Sequence, residues 1–550
     1  MSIEQDLELA RRHEAAGRLR EATAVYARAL AENANWAQGY CLLAAILVRQ
    51  KRPADALAAS RHALDLSPSD PQGLYWAARA LAAMGRFDEA IEAYRGALSS
   101  KPDFAEAWND LAGAQLAVAD LDAAIGSCER SAALKPELGG ANRRLFAMLL
   151  HPGYSPDAVL REHREWASRF ADPLTGAAPP YVNDPSPERR LRVGYVSADF
   201  RVHVVAMNLL PLMREHDHRQ VEVFSYSAVD APDHATELFR GYSDAWRDVA
   251  GWDEERLARA VREDRIDILV DLELHLGRRL LVFARKPAPV QVTFAGYPGT
   301  TGLKAIDYRL TDPYLDPPGN DRWYVEQSLR LPHTFWCYEP PEATPDVGPL
   351  PALSNGFVTF GCLINPTRVN EPVVRLWAAV LRALERSRLV VLAPEGSFRN
   401  RVLGVLYDQG IANDRVRFVP RLPRPQYLNH YQGIDVALDT FPYNGHTTGL
   451  DSLWMGVPVV TLVGTTAVGR AGWSQLSNLG LPGLAAEVSE QFVAVAVSLA
   501  RDLPRLAELR ASLRGRMLQS PLTDARSFAR GVEAAYRTMW RRWCEGRTRL

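Results

Sequence analysis

Eight consecutive residues, Asn444-Gly445-His446-Thr447-Thr448-Gly449-Leu450-Asp451, bring two glycines, an imidazole, two hydroxyls and a carboxylate together just after an apolar run at 434–438. The run reads as a strand and the residues after it as a helix, so the octet occupies a strand-to-helix turn. Glycine permits the tight turn. The leading N–H groups of the helix, expected from Asp451, Ser452, Leu453 and Trp454 onward, have no intrahelical partner, and the Thr hydroxyls add donors. Such a turn suits an anion, and a diphosphate in particular. Plain helix capping by Thr or Asp is the competing account. The His ahead of the Thr pair favours a ligand. So does Asp451, which falls one helical turn after Thr447 and Thr448 and returns its carboxylate to the same side, where ribose hydroxyls would lie.

Two α/β units must position this octet. In the first, β-rich runs at 191–197, 221–227, 266–272 and 290–294 alternate with helical patterns such as 254–262. In the second, runs at 357–363, 389–393, 416–419, 434–438 and 457–462 alternate with helices such as 373–384. This alternation predicts parallel sheets, and two such sheets in tandem leave a cleft at the carboxyl ends of their strands.

The N-terminal third repeats with a period of 34 residues: Ala22, Ala56, Ala90 and Ala124 align, as do Ala29, Ala63, Ala97 and Ser131, and Pro68, Pro102 and Pro136. A bulky column (Tyr40, Leu74, Trp108) is followed by a small one (Ala44, Ala78, Ala112), and Gly17 and Gly85 mark turns between paired helices. The pattern resembles the tetratricopeptide repeat in four copies over residues 3–138. Stacked helix pairs make a superhelix whose concave face holds extended peptides. Pairing two copies of the chain, or capping the next domain, is the other use of such an array. The expected domains are therefore a repeat superhelix over 1–150, a linker with transition helices over 151–188, Pro-rich from Asp172 to Arg189, an α/β domain over 189–345 and a second over 346–550.

Composition narrows the function. The 550 residues carry 64 basic and 65 acidic side chains, a net charge of -1, which lacks the surplus that nucleic-acid or anionic-membrane binding requires. Five scattered cysteines without metal-ligand spacing fit a reducing compartment. The start, Met1-Ser2-Ile3-Glu4-Gln5-Asp6, has neither a basic nor an apolar leader segment, and no apolar run approaches membrane-spanning length. A soluble, cytoplasmic protein is expected.

Three further blocks join the octet: Arg192-Val193-Gly194-Tyr195-Val196-Ser197-Ala198-Asp199-Phe200 with His203, Gly296-Tyr297-Pro298-Gly299-Thr300-Thr301-Gly302, and Leu331-Pro332-His333-Thr334-Phe335. Together with the repeats they resemble the O-GlcNAc transferase family, especially its bacterial members, over nearly the whole chain. The resemblance implies a repeat superhelix followed by a GT-B fold, two Rossmann-like domains with a donor cleft between them. It also implies a metal-independent, inverting transfer of N-acetylglucosamine from UDP-GlcNAc to Ser or Thr hydroxyls of proteins lying along the repeat groove. No cofactor is expected beyond the UDP-sugar co-substrate. The sequence agrees on the metal, because its only Asp-x-Asp, Asp120-Leu121-Asp122, lies in the repeats.

By the same resemblance, His446, Thr447 and Thr448 hold the leaving diphosphate and Asp451 the ribose. Uracil is read by the Leu422 backbone and by Tyr427, where the family often has His. Arg424 stands where a ribose-binding Lys is common. Asn365 and Arg368 occupy the positions of a polar residue and of a Lys that neutralises the departing diphosphate. Arg forks onto phosphate but is bulkier than an ammonium. His203 accepts the proton of the acceptor hydroxyl or orients the acceptor. Gly296 and Pro298 approach the sugar, and His275 lines the acceptor side. Departures stand beside these: Val204 follows His203 where relatives have Pro, and Asp271-Leu272-Glu273-Leu274-His275 replaces Asp-Leu-Asn-Gly-His. Two alternatives stay open, a protein glycosyltransferase using another nucleotide sugar, and a UDP-binding repeat scaffold without turnover.

Overall fold

The computed structural model describes residues 3–176, 180–341 and 343–548. Residues 177–179 of the expected linker, residue 342, and residues 1, 2, 549 and 550 lie outside the described residues. Contacts divide the chain into two units, Met1–Ala147 with Ala393–Arg401, and Met148–Leu392 with Val402–Leu550.

The first unit contains four antiparallel helix pairs. They are Ile3–Ala15 with Leu19–Glu32, Ala37–Arg49 with Pro53–Leu66, Pro71–Ala83 with Phe87–Ser100, and Ala105–Ala117 with Leu121–Leu134. The small columns seen in the sequence are its packing seams: Ala22, Ala56, Ala90 and Ala124 are each 0% exposed, as are Ala44, Ala78 and Ala112. Any larger side chain there would push helix axes apart. The turn inside each pair needs a left-handed residue, found at Gly17 (φ 72), Lys51 (φ 58), Gly85 (φ 77) and Ala119 (φ 56). Only two of these four are glycine, so Lys51 and Ala119 hold a strained backbone. Asp120 of the lone Asp-x-Asp caps the helix Leu121–Leu134 by accepting from the Ala123 N–H at 3.4 Å.

The second unit holds two fully parallel sheets. In the first, β1 (Leu191–Ser197), β2 (Val221–Ser227), β3 (Ala245–Asp248), β4 (Ile268–Asp271), β5 (Val290–Thr293), β6 (Tyr308–Thr311) and β7 (Gln327–Arg330) run in the order β3-β2-β1-β4-β5-β6-β7. In the second, β8 (Thr359–Cys362), β9 (Arg388–Leu392), β10 (Val416–Val419), β11 (Val436–Leu438), β12 (Val459–Leu462) and β13 (Ala485–Ala486) run in the order β10-β9-β8-β11-β12-β13. Each sheet reverses its winding once, between β1 and β4 and between β8 and β11. Those reversals open a crevice at the carboxyl ends of the flanking strands.

All the strands expected from the sequence are present, within two residues at each end. Four were not expected. β3 and β7 are short edge strands with little burial, β6 carries the fully buried Arg309, which pairs with Asp316 at 2.7 Å, and β13 is two residues long. The expected linker contains the helices Pro156–Phe170 and Asp172–Thr175. The first of these packs on the first sheet's loops, with His163 at a ring distance of 5.0 Å from His275. The helix Ala525–Thr548 packs back on the first sheet, where Tyr536 and Tyr195 hydroxyls meet at 3.1 Å and Glu533 binds His216 at 3.0 Å.

Candidate functional site

The crevice of the second sheet is built from the segments that leave β8 and β11. After β11, the buried Asp439 gathers the turn: one carboxylate oxygen accepts from the Gly445 N–H (2.7 Å) and the Thr440 N–H (2.8 Å), the other from the Thr461 hydroxyl (2.7 Å). Burial raises the Asp439 pKa to about 6 against these bonds. Asn444 is buried and donates to the Thr440 carbonyl at 2.7 Å, closing the turn from the other side. Gly445 has no room for a side chain, since a Cβ would lie 2.7 Å from Ile364 and 2.8 Å from the Thr448 hydroxyl.

The helix then begins at Thr447 and runs to Trp454. This start is earlier than the sequence pattern indicated. Gly449 and Leu450 make the first backbone bonds, to Gly445 and His446 carbonyls, so the N–H groups ahead of them belong to His446, Thr447 and Thr448, not to residues 451–454. The Thr448 hydroxyl is buried without a hydrogen-bond partner. A buried orphan donor beside a helix N-terminus has the electrostatics that suit an anion.

After β8, Asn365 caps a short 3-10 turn, Pro366–Arg368, by accepting from the Thr367 N–H at 3.2 Å. That turn aims Arg368 at the octet. Its guanidinium donates to the Asn444 carbonyl at 2.5 Å and lies 4.0 Å over the Tyr443 ring. The structure therefore brings Arg368 onto the first residue of the octet, Asn444. Asn365 is exposed, and its carbonyl is taken up by the cap.

His446 differs from expectation. Its Nε2 is 3.0 Å from the Val468 carbonyl, to which it donates, and its ring packs between Trp336 and Tyr443. Burial, with the Arg368 charge nearby, lowers its pKa to about 3. A neutral ring whose N–H is already used has only a lone pair left, so the side chain is not a cationic diphosphate ligand.

Asp451 is buried on the inner side of the same helix and is shared. One oxygen accepts from the Tyr338 hydroxyl at 2.8 Å and from Arg424 at 2.5 Å. Burial raises the Asp451 pKa, while Arg424 pulls it back. Arg424 also contacts the Met207 sulfur, so it ties the helix Arg424–Asn429 to the helix Val204–Glu215 that follows β1 of the first sheet. Arg424 and Asp451, predicted separately, thus act as a pair. Tyr427 turns its hydroxyl inward to Tyr431 (2.8 Å), and Leu422 is 37% exposed.

On the first sheet, β1 leads to Asp199 and His203, and β4 leads to Glu273. His203 Nδ1 lies 3.2 Å from the Asp199 carboxylate and 3.4 Å from the Val205 N–H, at the start of the helix Val204–Glu215. Burial lowers the His203 pKa and Asp199 opposes the fall. The buried Glu273 accepts from the Ser197 hydroxyl at 2.9 Å and from the Ala198 N–H. Its pKa is raised to about 7, chiefly by burial.

His275 is a correction. It is 3% exposed, its Nε2 donates to the Thr301 carbonyl at 2.8 Å, and Trp166 and His163 pack on its ring. It fastens the helix Pro156–Phe170 instead of lining an acceptor site. Gly296 is constrained by its own chain, since a Cβ would sit 2.8 Å from the Leu272 carbonyl, and Pro298 is buried. Asp439, Tyr443, Tyr338, Asp199 and Glu273 were not singled out as site residues in the sequence. A polar residue at the carboxyl end of an apolar strand was the available signal for Asp439. Among the described residues no three His, Cys, Asp or Glu side chains converge on a metal position, and no helix is long and apolar enough to cross a membrane.

Residues 177–342 and 352–532 match the family described as Glycosyl transferase family 41. Residues 75–138 match the tetratricopeptide repeat, and residues 15–97 match anaphase-promoting complex, cyclosome, subunit 3. A probable UDP-N-acetylglucosamine–peptide N-acetylglucosaminyltransferase SPINDLY of Hordeum vulgare is 42% identical over 421 residues, 74% of this chain and 44% of its own length. The probable enzyme SEC of Arabidopsis thaliana, described in the same terms, is 32% identical over 394 residues, 69% of this chain and 40% of its own. The chain thus spans less than half the length of these plant relatives. A solved structure of a mutant O-GlcNAc transferase from Thermobaculum terrenum is 36% identical, with a TM-score of 0.87, covering 93% of this chain and 98% of that one.

Proposed function

Since the chain belongs to glycosyl transferase family 41, we propose that it transfers N-acetylglucosamine from UDP-GlcNAc to Ser or Thr hydroxyls of proteins. The observation that carries this reading is the convergence of Arg368 on the Asn444 carbonyl with the buried, unpartnered Thr448 hydroxyl at the start of the helix Thr447–Trp454. A cation, a hydroxyl and free N–H groups aimed at one place suit a leaving diphosphate.

In the proposed reaction the acceptor hydroxyl oxygen attacks the anomeric carbon as the bond from that carbon to the β-phosphate oxygen breaks. The product is inverted at that carbon. His203 takes the hydroxyl proton on Nε2, and the charge arriving on the diphosphate falls on Arg368, the Thr448 hydroxyl and the N–H groups of residues 446–448. These groups supply the charge compensation, so no metal is required in this reading. The Arg424–Asp451 pair bounds the ribose end and Tyr427 the base end. Acceptor segments would be presented by the repeat helices, and a cytoplasmic location is proposed with it.

Incubating the purified chain with labelled UDP-GlcNAc, other UDP-sugars and GDP-sugars, with a cell lysate as acceptor, tests the reading. Label from UDP-GlcNAc on protein Ser or Thr, resistant to EDTA, is the expected result. Label from another donor alone would replace the sugar assignment. UDP binding without any transfer would replace the enzyme by a binding scaffold.

A further inference from the structure

His203 Nδ1 has two competing neighbours, the Asp199 carboxylate at 3.2 Å and the Val205 N–H at 3.4 Å. One nitrogen cannot serve both. If Nδ1 carries hydrogen and donates to Asp199, the Nε2 lone pair is free to take a proton. If Nδ1 instead accepts from Val205, Nε2 carries the hydrogen and is useless as a base. The tautomer therefore depends on where Asp199 is held.

Asp199 is held by a relay that ends at Glu273. The Asp199 N–H donates to the Ser197 hydroxyl oxygen at 2.8 Å, and the Ser197 hydroxyl donates to Glu273 Oε1 at 2.9 Å. The Ala198 N–H reaches the same Glu273 oxygen, so three consecutive residues of the turn after β1 hang on one carboxylate. The other oxygen, Oε2, is buried without a hydrogen-bond partner. Room for it exists because residue 277 is glycine, where a Cβ would lie 1.7 Å from Oε2. A buried carboxylate with an unsatisfied oxygen is costly, and pairing it with a glycine that makes the space marks it as placed for a purpose beyond packing. Its acidic neighbours are Asp199 on the turn and Asp271 at the end of β4. Among the described residues no Lys or Arg forms an ion pair with it.

We propose that Glu273 is a positioning residue that selects the proton-accepting tautomer of His203 by fixing Asp199 through Ser197. The inference rests on the proposed transfer for its consequence, while the tautomer itself is measurable without turnover. The test is 15N-imidazole NMR of the full chain labelled on histidine, alongside steady-state kinetics and UDP-GlcNAc affinity. In the wild type, His203 is expected as the Nδ1–H form. Glu273→Ala and, independently, Ser197→Ala should move it toward the Nε2–H form. Both should lower kcat by about 10²-fold, as expected for a misplaced catalytic group, with donor affinity unchanged. Glu273→Gln, whose amide oxygen can still accept from Ser197 and Ala198, should restore the tautomer and most of the rate. A wild-type tautomer in both alanine variants, or a Gln variant as impaired as Ala, would overturn the proposal. If the wild type transfers no sugar at all, the functional reading fails, and the NMR comparison still decides the role of Glu273.

Discussion

The Arg368 guanidinium reaches across the crevice of the second sheet to the Asn444 carbonyl, 2.5 Å away, while its face lies 4.0 Å from the centre of the Tyr443 ring. Two elements that leave neighbouring strands are thereby joined by a single side chain. The tether uses one of the five N–H groups of the fork and leaves the others as donors. A lysine here could act as a point charge but could not grip Asn444 and stack on Tyr443 at once.

Replacing Arg368 should therefore affect chemistry more than binding. Arg368→Ala is expected to lower kcat on the order of 10²-fold, the cost typical of losing one transition-state donor, with a smaller change in donor affinity. Arg368→Lys should fall between wild type and Ala. Single-turnover transfer and calorimetric binding of UDP-GlcNAc separate the two effects.

The orphan hydroxyl of Thr448 makes a prediction of opposite signs. Thr448→Val keeps the shape and removes a buried, unsatisfied polar group, so thermal stability of the unliganded chain should hold or rise by about 1 kcal/mol. Donor affinity should fall by about tenfold, equivalent to about 1.4 kcal/mol. An unchanged affinity would remove Thr448 from the seat.

The repeat array contains two strained turns that can be relieved. Lys51→Gly and Ala119→Gly place glycine where its equivalents Gly17 and Gly85 already stand, at positive φ. Each should stabilise the array by about 1 kcal/mol, the strain of a left-handed L-residue less the added freedom of the unfolded chain. Chemical denaturation followed by circular dichroism measures it.

Acid stability should be governed by buried histidines. Burial lowers the pKa of His163 to about 4 and of His446 to about 3, below the ordinary 6.5. The unfolded chain thus binds more protons than the folded one below pH 6.5. The stability contributed by these neutral rings is complete above 6.5 and is lost as pH falls toward 4 and then 3. His163→Phe should move the acid unfolding midpoint to lower pH, read by intrinsic fluorescence, whereas substituting the exposed His62 should not.

Periodicity carried most of the fold. The repeats were legible because a packing seam recurs every 34 residues as an alanine, and β4 and β9 because their continuous apolar runs announce buried parallel strands. β6 was hidden by its buried Arg309, whose charge is compensated only in three dimensions by Asp316. At the site, the octet and Arg368 could be read from residue type and order. The fate of His446 could not, because its side chain is committed to Val468, a residue on a different loop. His275 misled for the same reason: its partners, Trp166 and Thr301, come from distant segments. The Arg424–Asp451 pairing and the Glu273 relay also depend on contacts between separate elements, which no local pattern encodes.

The helix Ala525–Thr548 has a consequence for synthesis. Tyr195 at the heart of β1 is separated from its partner Tyr536 by 341 residues of chain. A ribosome adding 5–20 residues per second needs about 20 to 70 s to cover that distance. From the completion of β7 at Arg330 until that helix emerges, the nascent first sheet has all its strands yet lacks the helix that covers Tyr195 and His216, exposing an unfinished apolar face. The order of manufacture thus leaves the sheet that carries His203 and Glu273 waiting on a helix made long after its strands.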